Sequence, residues 1–216
     1  MIQDKRIEAL IYALEPWQQV LFATALTERM FLNFSLFSKL MNFGDLDRMR
    51  NLLNSIWEQQ TGRGTKVNYD AQLVNVEDNL VDLNEFDMFG AIPAHNAMLA
   101  LTSLIVCKLE DEPSEAVAVS NLSYETVAAY IEFAEADDQM SDEVLVRLIS
   151  MHDLMLDEDA FQDEVLERLT GARASKPPCH MLLLAPNARL MGAWFDKSGN
   201  HTNSCWERRW CLMGAW

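Results

Sequence analysis

Strand-like alternation of apolar and polar side chains is nearly absent from the first 170 residues of this 216-residue chain. A half-buried strand needs a period of two, so its lack argues against a sheet and leaves the helical period as the organising pattern. Basic charge is scarce as well: 17 Lys and Arg stand against 33 Asp and Glu, a formal net charge of −16. Such a chain repels phosphate backbones and anionic lipid headgroups, so nucleic acid is not an expected partner. No charge-free apolar run reaches the roughly 18 to 20 residues needed to cross a bilayer. Glu28 and Arg29 interrupt the best stretch, between Val20 and Phe37, and no membrane span is expected. The amino-terminal MIQDKRIEAL lacks the apolar core and small-residue cleavage site of a secretory signal, and the expected location is cytoplasmic. Cysteine is rare too: Cys107 is the only one before residue 170. In a reducing compartment it reads as a small buried apolar residue.

What the chain does have is apolar side chains, which make up half of it, enough for one sizeable core. Pro16 suits the first turn of a helix, and Trp17, Val20, Leu21 and Thr24 recur at helical spacing, predicting a helix to about Met41. Asn42-Phe43-Gly44-Asp45 reads as a stop and a start, with glycine in the left-handed position and Asp45 capping the next helix, whose buried face is Leu46, Met49, Leu53, Ile56 and Trp57. A shorter helix is predicted from Asp70 to Leu80 after the Gly62-Arg63-Gly64-Thr65 break. Pro93 opens a helix with Ala94, Ala97, Met98, Leu101, Leu104 and Ile105 in one stripe. Pro113 and Ser123 are read as starting two further segments, Ser141 as capping another, and Phe161, Val165, Leu166 and Leu169 as continuing the pattern.

Three stretches in order, LEPWQQVLF with TERM, then KVNYDAQL, then FDMFGAIPAHNA, resemble the YjaG-like proteins. That resemblance, over about residues 5–169, implies a small, soluble, helical bacterial protein and transfers no catalytic residue. Beyond Leu169 the likeness stops and the composition changes. Residues 1–170 hold 31 Asp/Glu and 11 Lys/Arg, a net −20; residues 171–216 hold 2 and 6, a net +4. The later stretch also carries Cys179, Cys205 and Cys211, four of the six tryptophans, and LMGAW twice. A frameshifted gene end or a fused segment would produce such a change. The expected architecture is all-α: a single compact multi-helix domain over residues 1–170, then a poorly structured or atypical C-terminal tail over 171–216.

Cys179, His180, His201, Cys205 and Cys211 are residue types that bind zinc, but only His201 and Cys205 approach the usual two-to-four-residue ligand spacing, so no metal and no cofactor are expected. Glu77, Asp78, Asp82, Glu85 and Asp87, with Asp111-Glu112, Glu115, Glu132 and Glu135, could hold magnesium against a phosphate; in so acidic a region, solvated helix faces explain them as well. The binding surface is instead sought at Lys66, Asn68, Asp70 and Gln72, a dense polar run in the glycine-flanked loop GRGTKVNYDAQL. The alternative is that Asn68 or Asp70 merely caps the next helix and Lys66 pairs with a carboxylate. No nucleophile can be assigned, since only His95 and His152 are at hand as bases in the family-like region. The resulting expectation is a non-enzymatic interaction or accessory protein with an unidentified protein partner. The alternative is a metal-dependent hydrolase of a phosphorylated small molecule using acidic helix faces. Oligomeric state is left open, because the Met and Phe residues between Phe31 and Met49 could fill a core or supply a dimer face; the core is preferred.

Overall fold

A computed structural model describes residues 5–62, 64–137 and 139–172. Among these, eight helices follow one another and no strand occurs: α1 (Lys5–Tyr12), α2 (Pro16–Met41), α3 (Leu46–Gln60), α4 (Tyr69–Glu77), α5 (Ala91–Glu110), α6 (Pro113–Glu135), α7 (Asp142–Met151) and α8 (Asp153–Thr170). The fold is all-α, as the periodicity predicts. The tail features, including both LMGAW copies and the Cys/His set from Cys179 onward, lie outside the described residues, as does Arg63.

α2 has the predicted boundaries. Pro16 occupies its first position, where a missing N–H leaves nothing unpaired. The turn after it differs from the expectation in one respect. Asn42, at φ 51°, takes the left-handed position that ends the helix, and Gly44 follows at φ 68°. Gly44 is needed because a Cβ there would stand 2.6 Å from Asn79 Oδ1, the oxygen that accepts the Asp45 N–H. The Asp45 carboxylate then accepts from the Arg48 N–H at 3.0 Å and caps α3.

Three further boundaries move. α4 runs from Tyr69 to Glu77 and stops short of the expected Leu80. α5 starts at Ala91, with Pro93 inside its first turn, where no helical N–H partner is required. Ser123 starts nothing: α6 is one unbroken 23-residue helix, and the Ser123 hydroxyl points to a carboxylate on α8. A serine at a cap and a serine meeting a buried acceptor look alike in sequence.

The core is built by α2, α5 and α6, which pack on one another most extensively. Phe22, Leu26 and Phe34 of α2 and Met98, Leu101 and Leu104 of α5 are wholly buried. Each such side chain contributes about 1.5–3 kcal/mol of transfer free energy. Contrary to the expectation that no apolar run is long enough, α2 and α5 are long and apolar enough, by length and composition alone, to cross a bilayer. Their apolar residues are the ones that make this core. α3 lies against α2, α4 against α5, and α8 against α6 and α2, while α7 touches chiefly α6 and α8. Phe37, Phe43 and Phe86 form a triangle of edge-to-face rings, centroids 5.0–5.7 Å apart, that ties the segment before α5 to the end of α2.

Candidate functional site

The predicted binding residues divide between capping and exposure. Asn68 is the N-cap of α4, its side-chain oxygen accepting from the Ala71 N–H at 3.3 Å. Asp70 is exposed in the first turn, where the helix dipole favours a carboxylate. Gln72 is half-buried and accepts from Asn75 Nδ2 at 3.2 Å. Lys66 is exposed in the preceding loop. No side-chain hydrogen bond or ion pair joins these four to one another.

The neighbouring residue, Tyr69, leads to a better-formed place. Its ring is buried and its hydroxyl donates to Gln59 Oε1 at 2.6 Å; burial pushes the phenol up to about 12. Lys108 Nζ sits 5.6 Å from the centre of that ring, a cation–π distance. Burial pushes the Lys108 ammonium below its ordinary value, partly countered by the Asp111 carboxylate. Beside them opens a groove of about 420 Å³ lined by Pro16, Trp17, Val20, Gln60, Lys108 and Asp111. It lies where the start of α2 meets the ends of α3 and α5. Asp111 holds φ 53°, a left-handed conformation that turns the chain sharply from α5 into α6. Cys107, one residue before Lys108, is buried as the sequence predicts; burial first, then Glu115 and Asp111, push its thiol up to about 11, so it is protonated and unreactive near neutral pH. Sequence reasoning missed this groove. The available signal was that Lys108 is the only Lys or Arg between Lys66 and Arg147.

A second polar assembly is internal. The adjacent charges of TERM face opposite ways from α2. Glu28 accepts a bidentate pair from Arg50 at 2.7 Å each and a third bond from Trp57 Nε1 at 2.9 Å. Arg29 lies 4.3 Å over the Phe161 ring, with Nη2 2.8 Å from Glu158 Oε2. Glu158 is wholly buried, and its other oxygen accepts from Ser123 Oγ at 2.7 Å and Gln162 Nε2 at 2.8 Å. Ser120 Oγ donates to Gln162 Oε1 at 2.6 Å. The Arg29–Glu158 contact is an ion pair by distance without hydrogen-bond alignment, so both Arg29 Nη atoms and Glu158 Oε2 lack a directed partner among the described residues. Ser123 has a carboxylate beside it but is closed off from solvent and has no histidine, so this network joins α2, α6 and α8 and offers no nucleophile a substrate could reach.

α7 presents a third surface. Only Ile149 of its ten residues is buried. Val144, Leu148 and Met151, spaced to share one helix face, line a groove of about 480 Å³ with Arg147, His152 and Asp153. Val144 and Met151 are 52% and 64% exposed, and nearby in sequence Phe133 and Leu156 are 67% and 51% exposed. His152 caps α8: Nδ1 accepts from the Leu154 N–H at 3.1 Å, which leaves Nε2 to carry the proton toward Glu135 Oε1, also at 3.1 Å. His95 is occupied by the Val81 carbonyl, 2.7 Å from Nδ1.

The carboxylates proposed as magnesium ligands are dispersed. Among the described residues no three of His, Cys, Asp and Glu stand close enough together to hold a metal ion. Glu112 and Glu115 flank the start of α6, and Asp82, fully exposed, is held below the ordinary carboxylate range by the Asn84 backbone N–H and side-chain amide.

Fold and site together define a class: an all-helical protein with a tightly packed three-helix centre, a charged internal bridge and two open surface grooves. Within that class the chain belongs to the family described as "Protein of unknown function (DUF416)", whose model matches residues 6–179. It is 41% identical over 146 residues to "Uncharacterized protein YjaG" of Escherichia coli K12, covering 67% of this chain and 74% of that one. The YjaG of Salmonella typhimurium LT2 is 40% identical over the same shares. A crystal structure of a DUF416 family protein from Shewanella baltica OS155 superposes with a TM-score of 0.72 at 31% identity, covering 82% of this chain and 89% of that chain. The family match reaches residue 179, beyond the Leu169 limit expected from the quoted motifs.

Proposed function

We propose that the protein is a non-enzymatic cytoplasmic interaction protein that binds no nucleic acid or membrane and receives a partner on the α7 face. The observation that supports this reading is the apolar stripe Val144, Leu148 and Met151, which the fold leaves uncovered. Asp153 lines the same groove and Asp142 and Glu143 open the helix, with Arg147 as the one cation on α7. An apolar stripe rimmed by carboxylates is complementary to an amphipathic helix with apolar anchors at i, i+4, i+7 spacing and Lys or Arg on its flanks. The partner is therefore a protein presenting a basic amphipathic helix.

The test compares the wild-type chain with a Val144→Glu/Met151→Glu variant, each immobilised and exposed to cell lysate. The expected result is a reproducible partner held by the wild type and lost from the variant at unchanged melting temperature. Its shortest binding segment, synthesised as a peptide, should be a basic amphipathic helix. Absence of a reproducible partner, equal retention by the variant, or an acidic binding segment would overturn the reading.

A further inference from the structure

The groove at the ends of α3 and α5 is independent of the α7 face and has a chemistry of its own. Trp17 offers a half-buried ring and an indole N–H, Gln60 an amide, Lys108 an ammonium and Asp111 a carboxylate, all around the same 420 Å³. None of these four side chains makes a hydrogen bond or ion pair to another described residue. Among the described body cations, Arg29 pairs with Glu158, Arg50 with Glu28, Arg6 with Asp163 and Arg168 with Glu164, while Lys5, Lys39, Arg48, Lys66 and Arg147 are exposed to solvent. In a region of net charge −20, a half-buried lysine without a carboxylate at ion-pair distance is the exception.

Lys108 lies in the last turn of α5, and Asp111 is the C-cap residue three positions on. They feel each other's charge, yet no ion pair closes between them. A cation and an anion held side by side and open to the same space suit a molecule carrying both charges in the reverse order. A plain anion would meet Lys108 but be repelled by Asp111, Glu112 and Glu115. A plain cation would meet Asp111, with Glu112 and Glu115 beyond it, but would leave the Lys108 ammonium without a partner and be repelled by it. A zwitterion is net neutral and avoids the repulsion of either. Pro16, Trp17 and Val20 supply an apolar wall for the rest of the ligand, and the volume falls at the low end for small-molecule sites.

We infer that this groove binds a free amino-acid-like zwitterion with an apolar or aromatic side chain, its carboxylate on Lys108, its ammonium on Asp111 and its side chain against Trp17.

The experiment is isothermal titration calorimetry on the full chain, with phenylalanine, tryptophan and leucine as probes, each beside its decarboxylated amine and its N-acetyl derivative, and with inorganic phosphate. Free amino acids should bind and raise the melting temperature, while amine, N-acetyl derivative and phosphate should bind at least tenfold more weakly. Lys108→Met and Asp111→Asn should each weaken the amino acid at least tenfold. Asparagine tolerates the left-handed backbone at 111, so that variant keeps the turn and serves if Lys108→Met disturbs the fold. The inference is overturned if no amino acid binds at millimolar concentration, if the amine or phosphate binds as well as the zwitterion, or if Asp111→Asn binds it unchanged. Val144→Glu/Met151→Glu should leave the titration as in wild type, which separates this outcome from that of the α7 face.

Discussion

α2 and α7 are both rich in apolar residues, and the fold uses them in opposite ways. Fifteen of the 26 residues of α2 are buried, against one of ten in α7. α2 is covered by α3, α5, α6 and α8, so even its charged pair Glu28-Arg29 is absorbed into internal bridges. α7 meets the body through Ile149 and leaves its second stripe open. Apolar periodicity specifies how much surface must be covered, and the topology decides whether this chain or another molecule covers it.

Core truncation is the strongest way to break the comparison. Leu101→Ala removes a wholly buried side chain between α5 and its neighbours and should destabilise the protein by about 2–5 kcal/mol. Val144→Ala should change stability by no more than about 0.5 kcal/mol. Urea unfolding followed by circular dichroism measures both. Similar losses would mean that α7 is as much part of the core as α5.

The internal bridge comes next. Arg29→Met strands the Glu158 carboxylate, which has no solvent access, and should cost about 3 kcal/mol. Adding Glu158→Leu should recover only part of that loss: it removes the stranded charge but takes the acceptor from the buried Ser123 Oγ and Gln162 Nε2. Glu28→Gln, in a bridge about a quarter exposed, should cost less, roughly 1 kcal/mol. A double-mutant cycle on the urea midpoint would report the Arg29–Glu158 coupling directly.

These cases also mark how far the sequence could be read. The α2 boundaries and the α5 stripe were legible because proline placement and a 3.6-residue period are local signals. The partners of Glu28 and Arg29 were not, since Glu158 lies 129 residues beyond Arg29 and nothing local ties them. Ser123 misled for the same reason: its acceptor is on α8, 35 residues away. Lys66, Asn68, Asp70 and Gln72 drew notice as a polar run, although capping explains Asn68 and it is Tyr69, between them, whose ring lies beside Lys108 of the groove. Groove residues from three helix ends share no sequence pattern, so only the isolation of Lys108 among acidic neighbours hinted at it.

Alkaline pH should act on the body rather than on α7. The Cys107 thiol ordinarily loses its proton near pH 9 and in the folded state near about 11. The folded state holds the proton more tightly, so this contribution to stability is complete below about pH 9 and is lost as the pH rises through 11. Tyr69 acts in the same sense between about pH 10 and 12. The urea midpoint should therefore fall across pH 9–12. Cys107→Ala should flatten the part below 11 and leave the Tyr69 part in place.

The smallest effects test how α7 is attached. His152 ends α7 and caps α8 through Nδ1, with Nε2 held toward Glu135 at the end of α6, so one imidazole orients three helices. His152→Ala loses the cap and should cost about 1 kcal/mol. Glu135→Gln removes only a partly exposed charge partner and should cost a few tenths of a kcal/mol. If α7 is held by Ile149 and this junction alone, His152→Ala should raise amide hydrogen exchange across residues 142–151 while leaving α2 and α5 unchanged. Uniform acceleration across all three helices would place α7 inside the cooperative unit and remove the reason for treating its open face as separate from the core.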